Sequence, residues 1–477
     1  MYLKQYYLGC LAHASYLIAD DRTKTAVVVD PQRDIEQYLQ DAQAGGYSIR
    51  YVFLTHFHAD FLAGHIELRN RAGAQICLGQ RAQAEFEHRA LRDGEVIEFG
   101  EVRIRILETP GHTPEGISLL VFDRISSETV PHAVLTGDTL FIGDVGRPDL
   151  LASIGVTADE LAAMLYESVG RLRQLPDSTL VYPAHGAGSL CGKSLSKETV
   201  STIGEQKKAN YALQPMPFEQ FRELVTSEQP EAPGYFVYDA TRNRQERPDL
   251  DRTMQSSLQG LSVADVLRLQ QSGAQILDVR ESIDFEGASL QGALNIGLKG
   301  KYATWAGSLL NHDAPIVVIG DDNEEEAIMR LGRIGFDNVA GYLQGGMSAL
   351  ERHPELLQTI SRQTAVALSE SRGQQTVPWI LDVRSEKEYA IVHLEGSHNI
   401  PLTHLRERLA EIPVDRPVVV HCEGGYRSAI AVSVLRQGGR TDVSDLVGGI
   451  RAWIAMKLPT IPEKTLVCGT KICEAVV

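Results

Sequence analysis

The chain has 477 residues, a hydrophobic fraction of 43%, a charged fraction of 23% and a formal net charge of −16. It is too long for one hydrophobic core, so about three domains are expected. The negative charge argues against nucleic acid or an anionic membrane as a partner, and there is no run of about eighteen apolar residues to span a bilayer. Six scattered cysteines and an N-terminus without a signal-peptide pattern predict a cytoplasmic protein that lacks a disulfide framework.

The first half, residues 1–245, alternates between apolar runs typical of buried strands and segments with helical spacing. Four of its strands end in residues that can bind a metal, which are His56, His58 and Asp60 after the first and then His112, Asp138 and His185. Because α/β folds place their sites at strand ends, these residues predict one metal site. Histidine and carboxylate donors without cysteine suit iron, manganese or zinc.

This order of ligands, His-x-His-x-Asp followed by His, Asp and His, resembles the metallo-β-lactamase superfamily. The resemblance implies an αββα sandwich with its site at one edge of the two sheets. Members with two metals have a histidine directly after the motif's aspartate, where this chain has Phe61. A phenylalanine cannot bind a metal, so we expect a single metal. This disfavours the di-metal hydrolases, of which the glyoxalase II thioesterases are the nearest alternative.

The remaining pattern resembles the persulfide dioxygenases of that superfamily. The resemblance implies that His56, His112 and Asp138 hold one Fe(II) per chain, with open positions for substrate and dioxygen. His58, Asp60 and His185 are then expected to orient the ligands or to handle protons. A structural zinc without catalysis is the alternative at this point.

Three more residues of this half are candidates for handling the substrate. Arg147 resembles the arginine that faces an anionic thiol carrier in this family, and a loop-bracing role is its alternative. Tyr182 is a second candidate contact for the carrier. Cys191 lies in a glycine-rich loop near Lys193, so we expect an exposed thiol with a lowered pKa. It either handles a persulfide or is incidental.

The second half repeats itself. Residues 240–252 are polar and charged, which predicts a linker or domain edge. After them the segment Ile276–Arg280 recurs about a hundred residues later as Ile380–Arg384, which indicates a tandem duplication. We expect a first repeat at 259–358, a second repeat at 363–460 and a tail at 461–477 that carries Cys468 and Cys473.

In the second repeat a strand runs directly into the loop of Cys422, which then opens a helix. Backbone N–H groups and the positive end of the helix favour the thiolate there, and Arg427 adds a positive charge. The loop is one residue shorter than the Cys-x5-Arg loop of tyrosine phosphatases and closely resembles that of rhodanese sulfurtransferases. The resemblance implies that Cys422 accepts sulfane sulfur, within a substrate loop formed by Glu423, Gly424, Gly425 and Tyr426. A phosphatase, an arsenate reductase and a structural cysteine are the lesser alternatives.

The matching loop of the first repeat departs from that family. Gly320 or Asp321 stands where the second repeat has Cys422, and the loop continues to Glu326 without cysteine or arginine. Five carboxylates cannot cradle an anionic sulfur species. We therefore expect the first repeat to be catalytically inactive, as a spacer or docking module.

The sequence as a whole predicts a multidomain protein with α/β and α+β domains. It resembles persulfide dioxygenase–sulfurtransferase fusions. Its expected partners are O2, a low-molecular-weight thiol persulfide such as that of glutathione or coenzyme A, and sulfite or thiosulfate. A zinc thioesterase of glyoxalase II type and a non-catalytic persulfide carrier or sensor are the competing functions. The oligomeric state stays open, with a homo-oligomer among the alternatives.

Overall fold

The computed structural model describes residues 1–150, 155–227, 229–371 and 377–462. Two compact units divide the chain, the first formed by residues 1–255 with 329–337 and the second by the remaining residues from 256 onwards. Cys468 and Cys473 lie outside the described residues, as does most of the predicted tail. Within the described ranges, no helix combines the length and the apolar character that crossing a membrane requires.

The first unit contains two six-stranded sheets. Hydrogen bonding orders the first sheet β1 to β6 and the second β12 to β7, so chain order is kept in both. The strands of the first sheet are β1 (Tyr2–Leu8), β2 (His13–Asp20), β3 (Thr25–Val29), β4 (Ser48–Phe53), β5 (Gln75–Gly79) and β6 (Arg89–Leu91). Those of the second are β7 (Val96–Phe99), β8 (Val102–Glu108), β9 (Ile117–Asp123), β10 (Ala133–Gly137), β11 (Leu180–Pro183) and β12 (Ser201–Thr202).

Helices cover the outer faces of these sheets, as the alternation of side chains along the strands shows. Leu119 and Leu135 point into the core between the two sheets, whereas their neighbours Leu120 and Val134 pack against helical residues such as Leu165. Successive side chains of a strand point to opposite faces of the sheet, so these strands are buried on both faces. The helices are α1 (Glu36–Gly45), α2 (His65–Ala72), α3 (Ala158–Arg173), α4 (Ile203–Ala209), α5 (Phe218–Thr226), α6 (Tyr235–Arg242) and α7 (Leu250–Ser257). The predicted αββα sandwich is confirmed.

The polar segment at 240–252 is not a solvated linker over its whole length. Helix α6 ends and helix α7 begins within it, and Asn243 and Arg247 are buried. Arg247 Nη1 lies 2.7 Å from Glu67 Oε1, and the same carboxylate pairs with Arg33. The charged composition of this segment therefore reflects a buried ion network as well as exposed surface.

The second unit contains the duplication. Its two five-stranded parallel sheets have the same order, β13-β18-β17-β14-β16 and β20-β25-β24-β21-β23. The first repeat has strands β13 (Gly260–Leu261), β14 (Gln275–Asp278), β15 (Ser289–Leu290), β16 (Leu294–Asn295), β17 (Ile316–Ile319), β18 (Val339–Leu343) and β19 (Leu357–Gln358), with helices α8 (Val263–Gln271), α9 (Ser282–Gly287), α10 (Tyr302–Leu309) and α11 (Glu324–Arg333). The second has β20 (Ser361–Gln363), β21 (Trp379–Asp382), β22 (His393–Leu394), β23 (Ser397–Asn399), β24 (Val418–His421), β25 (Val443–Leu446) and β26 (Thr460–Ile461), with α12 (Ala365–Ser371), α13 (Glu386–Ile391), α14 (Tyr426–Gln437) and α15 (Gly449–Ala455).

The duplicated motif makes the same contacts in both repeats. Arg280 Nη2 lies 2.6 Å from Asp278 Oδ2, and Arg384 Nη2 lies 2.6 Å from Asp382 Oδ2. Because both pairs are buried at the end of a central strand, each guanidinium satisfies a carboxylate that water cannot reach. The repeated sequence therefore encodes a structural ion pair, and the prediction of a tandem duplication is confirmed.

Candidate functional site: a histidine–aspartate centre and a cysteine loop

The loop that follows β4 is fixed from both sheets of the first unit. Thr55 donates to Asp30 through its main-chain nitrogen at 2.7 Å and through its hydroxyl at 2.8 Å. On the other side, Phe57 N donates to Glu115 Oε1 over 3.1 Å. Charge-assisted hydrogen bonds of this kind hold the backbone turn that carries His56 and His58.

His56, His112 and Asp138 converge at this loop, with their donor atoms within 4.8 Å of one another. Asp138 Oδ2 lies 3.7 Å from His56 Nε2 and 3.5 Å from His112 Nε2. His112 Nδ1 contacts the Arg147 carbonyl at 2.9 Å, which leaves Nε2 as the free acceptor. All three side chains are buried.

The charge states of the three residues suit a metal. Burial lowers the pKa of His56 and His112, so both imidazoles are held in the neutral form that binds metals. Burial alone would raise the pKa of Asp138, but the charge and hydrogen bond of His185 outweigh it and hold that pKa well below its usual range. Two neutral imidazoles and one carboxylate therefore form a donor set that fits a divalent metal ion.

A second group of possible donors, His58, Asp60 and His185, also lies within 4.8 Å. His185 is placed between two carboxylates, with Nδ1 2.8 Å from Asp138 and Nε2 3.0 Å from Asp60. Burial would lower the pKa of His185, but these carboxylates raise it well above the ordinary value. His58 Nε2 lies 3.1 Å from Asp30 Oδ1. Of the three, His185 directly contacts Asp138 of the first centre, and the supporting role of His58 and Asp60 stays a prediction.

Phe61 fills the space beside this second group. Its side chain is fully buried, and its ring centroid lies 4.5 Å from that of His58 and 4.2 Å from that of His13. The hydrocarbon ring thus occupies room that a further ligand would need. This packing agrees with the expectation that the motif's last position does not bind a metal.

Cys191 lies beside the centre, with Sγ within 4.8 Å of donor atoms of Asp138 and His185. The expectation of an exposed thiol with a lowered pKa is wrong. Cys191 is 1% exposed, and burial raises its pKa well above the usual value, with Asp60 and Asp138 adding to the rise. The glycine-rich sequence indicated an open loop, but the loop folds inward against the carboxylates.

Arg147 and Tyr182 make internal contacts. The Arg147 guanidinium is bidentate to Asp149, with both distances 2.7 Å, and donates to the Pro230 carbonyl at 2.6 Å. The side chain therefore braces the loop whose carbonyl orients His112. Tyr182 packs edge-on against Tyr16, with ring centroids 5.5 Å apart. For both residues, contact with a thiol carrier stays a prediction.

Asn243 is a residue of the site that sequence reasoning missed. Its amide nitrogen donates to the carbonyls of His58 at 2.8 Å and Phe61 at 2.7 Å, and its oxygen accepts from Ala63 N at 2.9 Å. One buried side chain thus satisfies three backbone groups of the ligand loop. An isolated asparagine in a polar stretch carries no periodic signal that would have predicted this.

Replacing Asn243 with alanine is expected to weaken metal binding about 10–100-fold, the usual cost of removing a residue that orients ligands. It leaves three buried backbone groups unpaired, so the thermal unfolding temperature should fall as well. Metal affinity, measured by competition with a chelator for Fe(II) and for Zn(II), checks this. The matched control is Asn70→Ala, an exposed asparagine on α2. Equal affinities for Asn243→Ala and the control would contradict the assignment.

In the second unit the Cys422 loop forms the predicted cradle between β24 and α14. Gly425 N donates to Cys422 Sγ at 3.1 Å, and Sγ lies 3.5 Å from the Ser428 hydroxyl. Gly425 has a φ of +119°, which a residue with a side chain rarely adopts. The turn thus directs the Gly425 N–H group and the helix N-terminus at a buried sulfur.

The other loop residues are held by partners outside the loop. Arg427 forms a bidentate pair with Glu388, with both distances 2.7 Å, and Glu423 pairs with Arg451 at 2.6 Å. The Tyr426 hydroxyl donates to the Gly297 carbonyl of the first repeat at 2.8 Å. Tyr426 therefore anchors the loop from outside, and substrate contacts by Glu423, Gly424, Gly425 and Tyr426 stay predictions.

The corresponding loop of the first repeat lines an open, acidic cavity of about 670 Å³ that Asp321, Asp322, Glu324 and Glu325 face. Gly346 approaches the Gly320 carbonyl so closely that a β-carbon would lie 2.7 Å from it. No thiol or guanidinium is among the cavity's lining residues. The arrangement has the shape of the Cys422 cradle without its chemistry.

Comparisons with known proteins agree with this architecture. The model of the metallo-beta-lactamase superfamily matches residues 8–185, and that of the rhodanese-like domain matches residues 262–353 and 363–456. Bovine mitochondrial persulfide dioxygenase ETHE1 is 31% identical over 201 residues, which cover 41% of this chain and 69% of the relative. The hydroxyacylglutathione hydrolase of Dictyostelium discoideum is 30% identical, over 36% of this chain and 61% of the relative.

Among solved structures, a metallo-beta-lactamase from Staphylococcus aureus subsp. aureus COL superposes with a TM-score of 0.65 at 30% identity. The match covers 72% of this chain and 98% of that chain. Persulfide dioxygenases and hydroxyacylglutathione hydrolases are thus both relatives of the first unit. The chain belongs to the metallo-β-lactamase superfamily, has ETHE1 persulfide dioxygenases among its relatives, and carries two rhodanese-like domains after its metallo-β-lactamase domain.

Proposed function

We propose that the first unit is an iron-dependent persulfide dioxygenase. The reaction is R–S–SH + O2 + H2O → R–SH + SO3²⁻ + 2 H⁺, in which the outer sulfur is oxidised and dioxygen is reduced. The observation that carries the proposal is the centre of His56, His112 and Asp138 with Phe61 packed beside it. Ferrous iron in such a site supplies open coordination positions and the redox chemistry that activates dioxygen.

The protein's own residues hold the centre and its protons. His112 is oriented by the Arg147 carbonyl and Asp138 by His185, so both ligands are fixed before substrate arrives. His185, whose pKa is raised, holds a proton between Asp138 and Asp60. From there the proton can reach the thiol that leaves.

Cys191 is proposed to hold the sulfane sulfur beside the centre. Its thiol would accept the outer sulfur by the exchange R–S–SH + Cys191–SH → R–SH + Cys191–S–SH. Its distance from Asp138 and His185 supports this role, and its burial shields the persulfide from solvent. An incidental thiol remains the alternative, which the Cys191→Ser variant separates by its effect on O2 uptake.

The second repeat is proposed to make thiosulfate from the sulfite so formed. Cys422 attacks a second persulfide, the S–S bond breaks, the thiol leaves and Cys422 carries the sulfane sulfur. Sulfite then attacks that sulfur, which releases thiosulfate and restores the Cys422 thiolate. The N–H group of Gly425 and the start of α14 support the anionic sulfur in both steps.

Arg427 is expected to be required for this transfer. Burial alone would raise the pKa of Glu388, but the hydrogen bonds and charge of Arg427 hold it at about 2. Arg427→Gln should slow transfer to sulfite about a hundredfold, a typical cost of removing one group that stabilises developing negative charge. Arg427→Gln combined with Glu388→Gln should regain thermal stability but not transfer. Recovery of transfer in the double variant would contradict a direct role.

A zinc thioesterase is the second candidate function. The second donor group of His58, Asp60 and His185 favours it, as do the hydroxyacylglutathione hydrolase relatives. Anaerobic reconstitution followed by elemental analysis and assays with glutathione persulfide and lactoyl-glutathione separates the two. We expect one iron per chain and O2-dependent sulfite formation. Two zinc ions per chain with thioester hydrolysis would replace the proposal.

A further inference from the structure

The helix that begins at the Cys422 loop is held along its length by the first repeat. Tyr426, Ser433 and Gln437 lie at its start, its second half and its end. They bond main-chain groups of residues 292–297 over 2.8, 3.1 and 2.9 Å, respectively. A repeat that served only as a spacer would not need these hydrogen bonds. The first repeat therefore helps to position the Cys422 loop.

A buried polar line also runs from Cys422 into the first repeat. Cys422 Sγ lies 3.5 Å from Ser428 Oγ, and the Ser428 hydroxyl stabilises the ionised form of the Asp445 carboxylate on β25. Asp445 interacts electrostatically with Glu286 on α9 of the first repeat, and each is 2% exposed. Arg362 on β20, the neighbour of Asp445 across the sheet, lies with Nε 2.7 Å from Glu286 Oε2.

This row of buried polar residues contains two carboxyl groups, Asp445 and Glu286, and one cation, Arg362. Among the described residues, Asp445 Oδ1 and Glu286 Oε1 have no hydrogen-bond partner. Burial raises the pKa of Glu286 to about 8, with the charge of Asp445 adding to the rise. Burial likewise raises the pKa of Asp445 to about 6. Near neutral pH the proton therefore lies mainly on Glu286, and Asp445 is mainly ionised.

We infer that Ser428, Asp445 and Glu286 are positioning residues through which the first repeat tunes the thiolate of Cys422. The Ser428 hydroxyl has one hydrogen. An ionised Asp445 attracts that hydrogen, as does the Gly425 carbonyl at 3.0 Å, and Cys422 then donates to Ser428 as a thiol. When Asp445 is protonated, the Ser428 hydrogen is free to bond the Cys422 thiolate.

Charge acts in the same direction as this hydrogen bonding. As pH rises through about 8, Glu286 loses the proton and a second negative charge appears behind the loop. That charge destabilises the Cys422 thiolate. The charged groups facing Asp445 are Glu286 and Arg362, so changing either should alter Cys422. The functional consequence of the inference rests on the proposed sulfur transfer. The test below measures alkylation of Cys422 and does not require that transfer.

The test is the pH dependence of Cys422 alkylation by iodoacetamide in the full chain, followed by mass spectrometry of the Cys422 peptide. Asp445→Asn should lower the midpoint by about one pH unit, because its amide donates to Ser428 without a charge. Glu286→Gln should remove the inflection near pH 8. Arg362→Gln, at a side chain 34% exposed, should move that inflection upward. The matched control is Asp284→Asn, an exposed carboxylate on α9.

Profiles of Asp445→Asn and Glu286→Gln that overlay the wild type would overturn the inference. If Asp445→Asn does not fold, the other two variants decide it. The inflection should be lost in Glu286→Gln and should move upward in Arg362→Gln, and an inflection that stays at its wild-type pH in either variant would overturn the inference. A chain that shows the expected shifts without forming thiosulfate would support the inference and contradict the proposed function.

Discussion

Cys422→Ser is expected to abolish thiosulfate formation while O2 uptake with a thiol persulfide continues. The serine hydroxyl cannot carry sulfane sulfur, so transfer should fall by more than about a thousandfold, as when a nucleophile is removed. O2 uptake depends on His56, His112 and Asp138, which lie in the first unit. Sulfite should therefore accumulate in place of thiosulfate, and both anions can be measured in one chromatographic run.

The control for this variant is Cys10→Ser, because Cys10 is an exposed free cysteine. It should leave both O2 uptake and thiosulfate formation unchanged. Loss of O2 uptake in Cys422→Ser would mean that the second repeat loads the dioxygenase with sulfur. Thiosulfate formed at the wild-type rate would remove Cys422 from the transfer.

Asp138→Asn is expected to lose the metal and, with it, O2 uptake. The carboxylate lies within 3.7 Å of both ligand histidines and is the only anion of the three-residue centre. Since a bound metal contributes several kcal/mol to such a reaction, uptake should fall by at least about a thousandfold. Elemental analysis and an oxygen electrode check the two effects. Thiosulfate formation from added persulfide and sulfite at Cys422 should persist.

His132→Ala is the matched control, an exposed histidine next to the strand that leads to Asp138. It should retain wild-type metal content and uptake. An Asp138→Asn chain that keeps its iron and its uptake would show that another residue completes the centre. Loss of both activities together with a lowered unfolding temperature would point to misfolding, which circular dichroism reveals.

Much of the fold was predictable because its signals are local. Apolar runs such as the one before His56 mark buried strands, and the chemistry at their ends follows from topology. The duplication was visible in the sequence because each repeat needs the same buried ion pair, formed by Asp278 and Arg280 in the first and by Asp382 and Arg384 in the second. The absence of a cysteine between Gly320 and Glu326 distinguished the loop of the first repeat from the Cys422 loop on the sequence alone.

What sequence reasoning missed depends on contacts between distant segments. Asn243 bonds a loop about 180 residues earlier in the chain, and neither partner hints at the other. Cys191 was expected to be exposed because glycine-rich loops usually are, but tertiary packing places it against Asp138. Glu286 and Asp445 likewise come from different repeats, so their interaction has no signature in either one.

The most direct test is O2 consumption by the iron-reconstituted full chain supplied with glutathione persulfide. The account predicts that one O2 is consumed for every two persulfides, because the second persulfide supplies the sulfane sulfur of thiosulfate. Sulfite is the first product, and no O2 is consumed when zinc replaces iron. A chain that holds one iron and consumes no O2 with either glutathione persulfide or coenzyme A persulfide would contradict it.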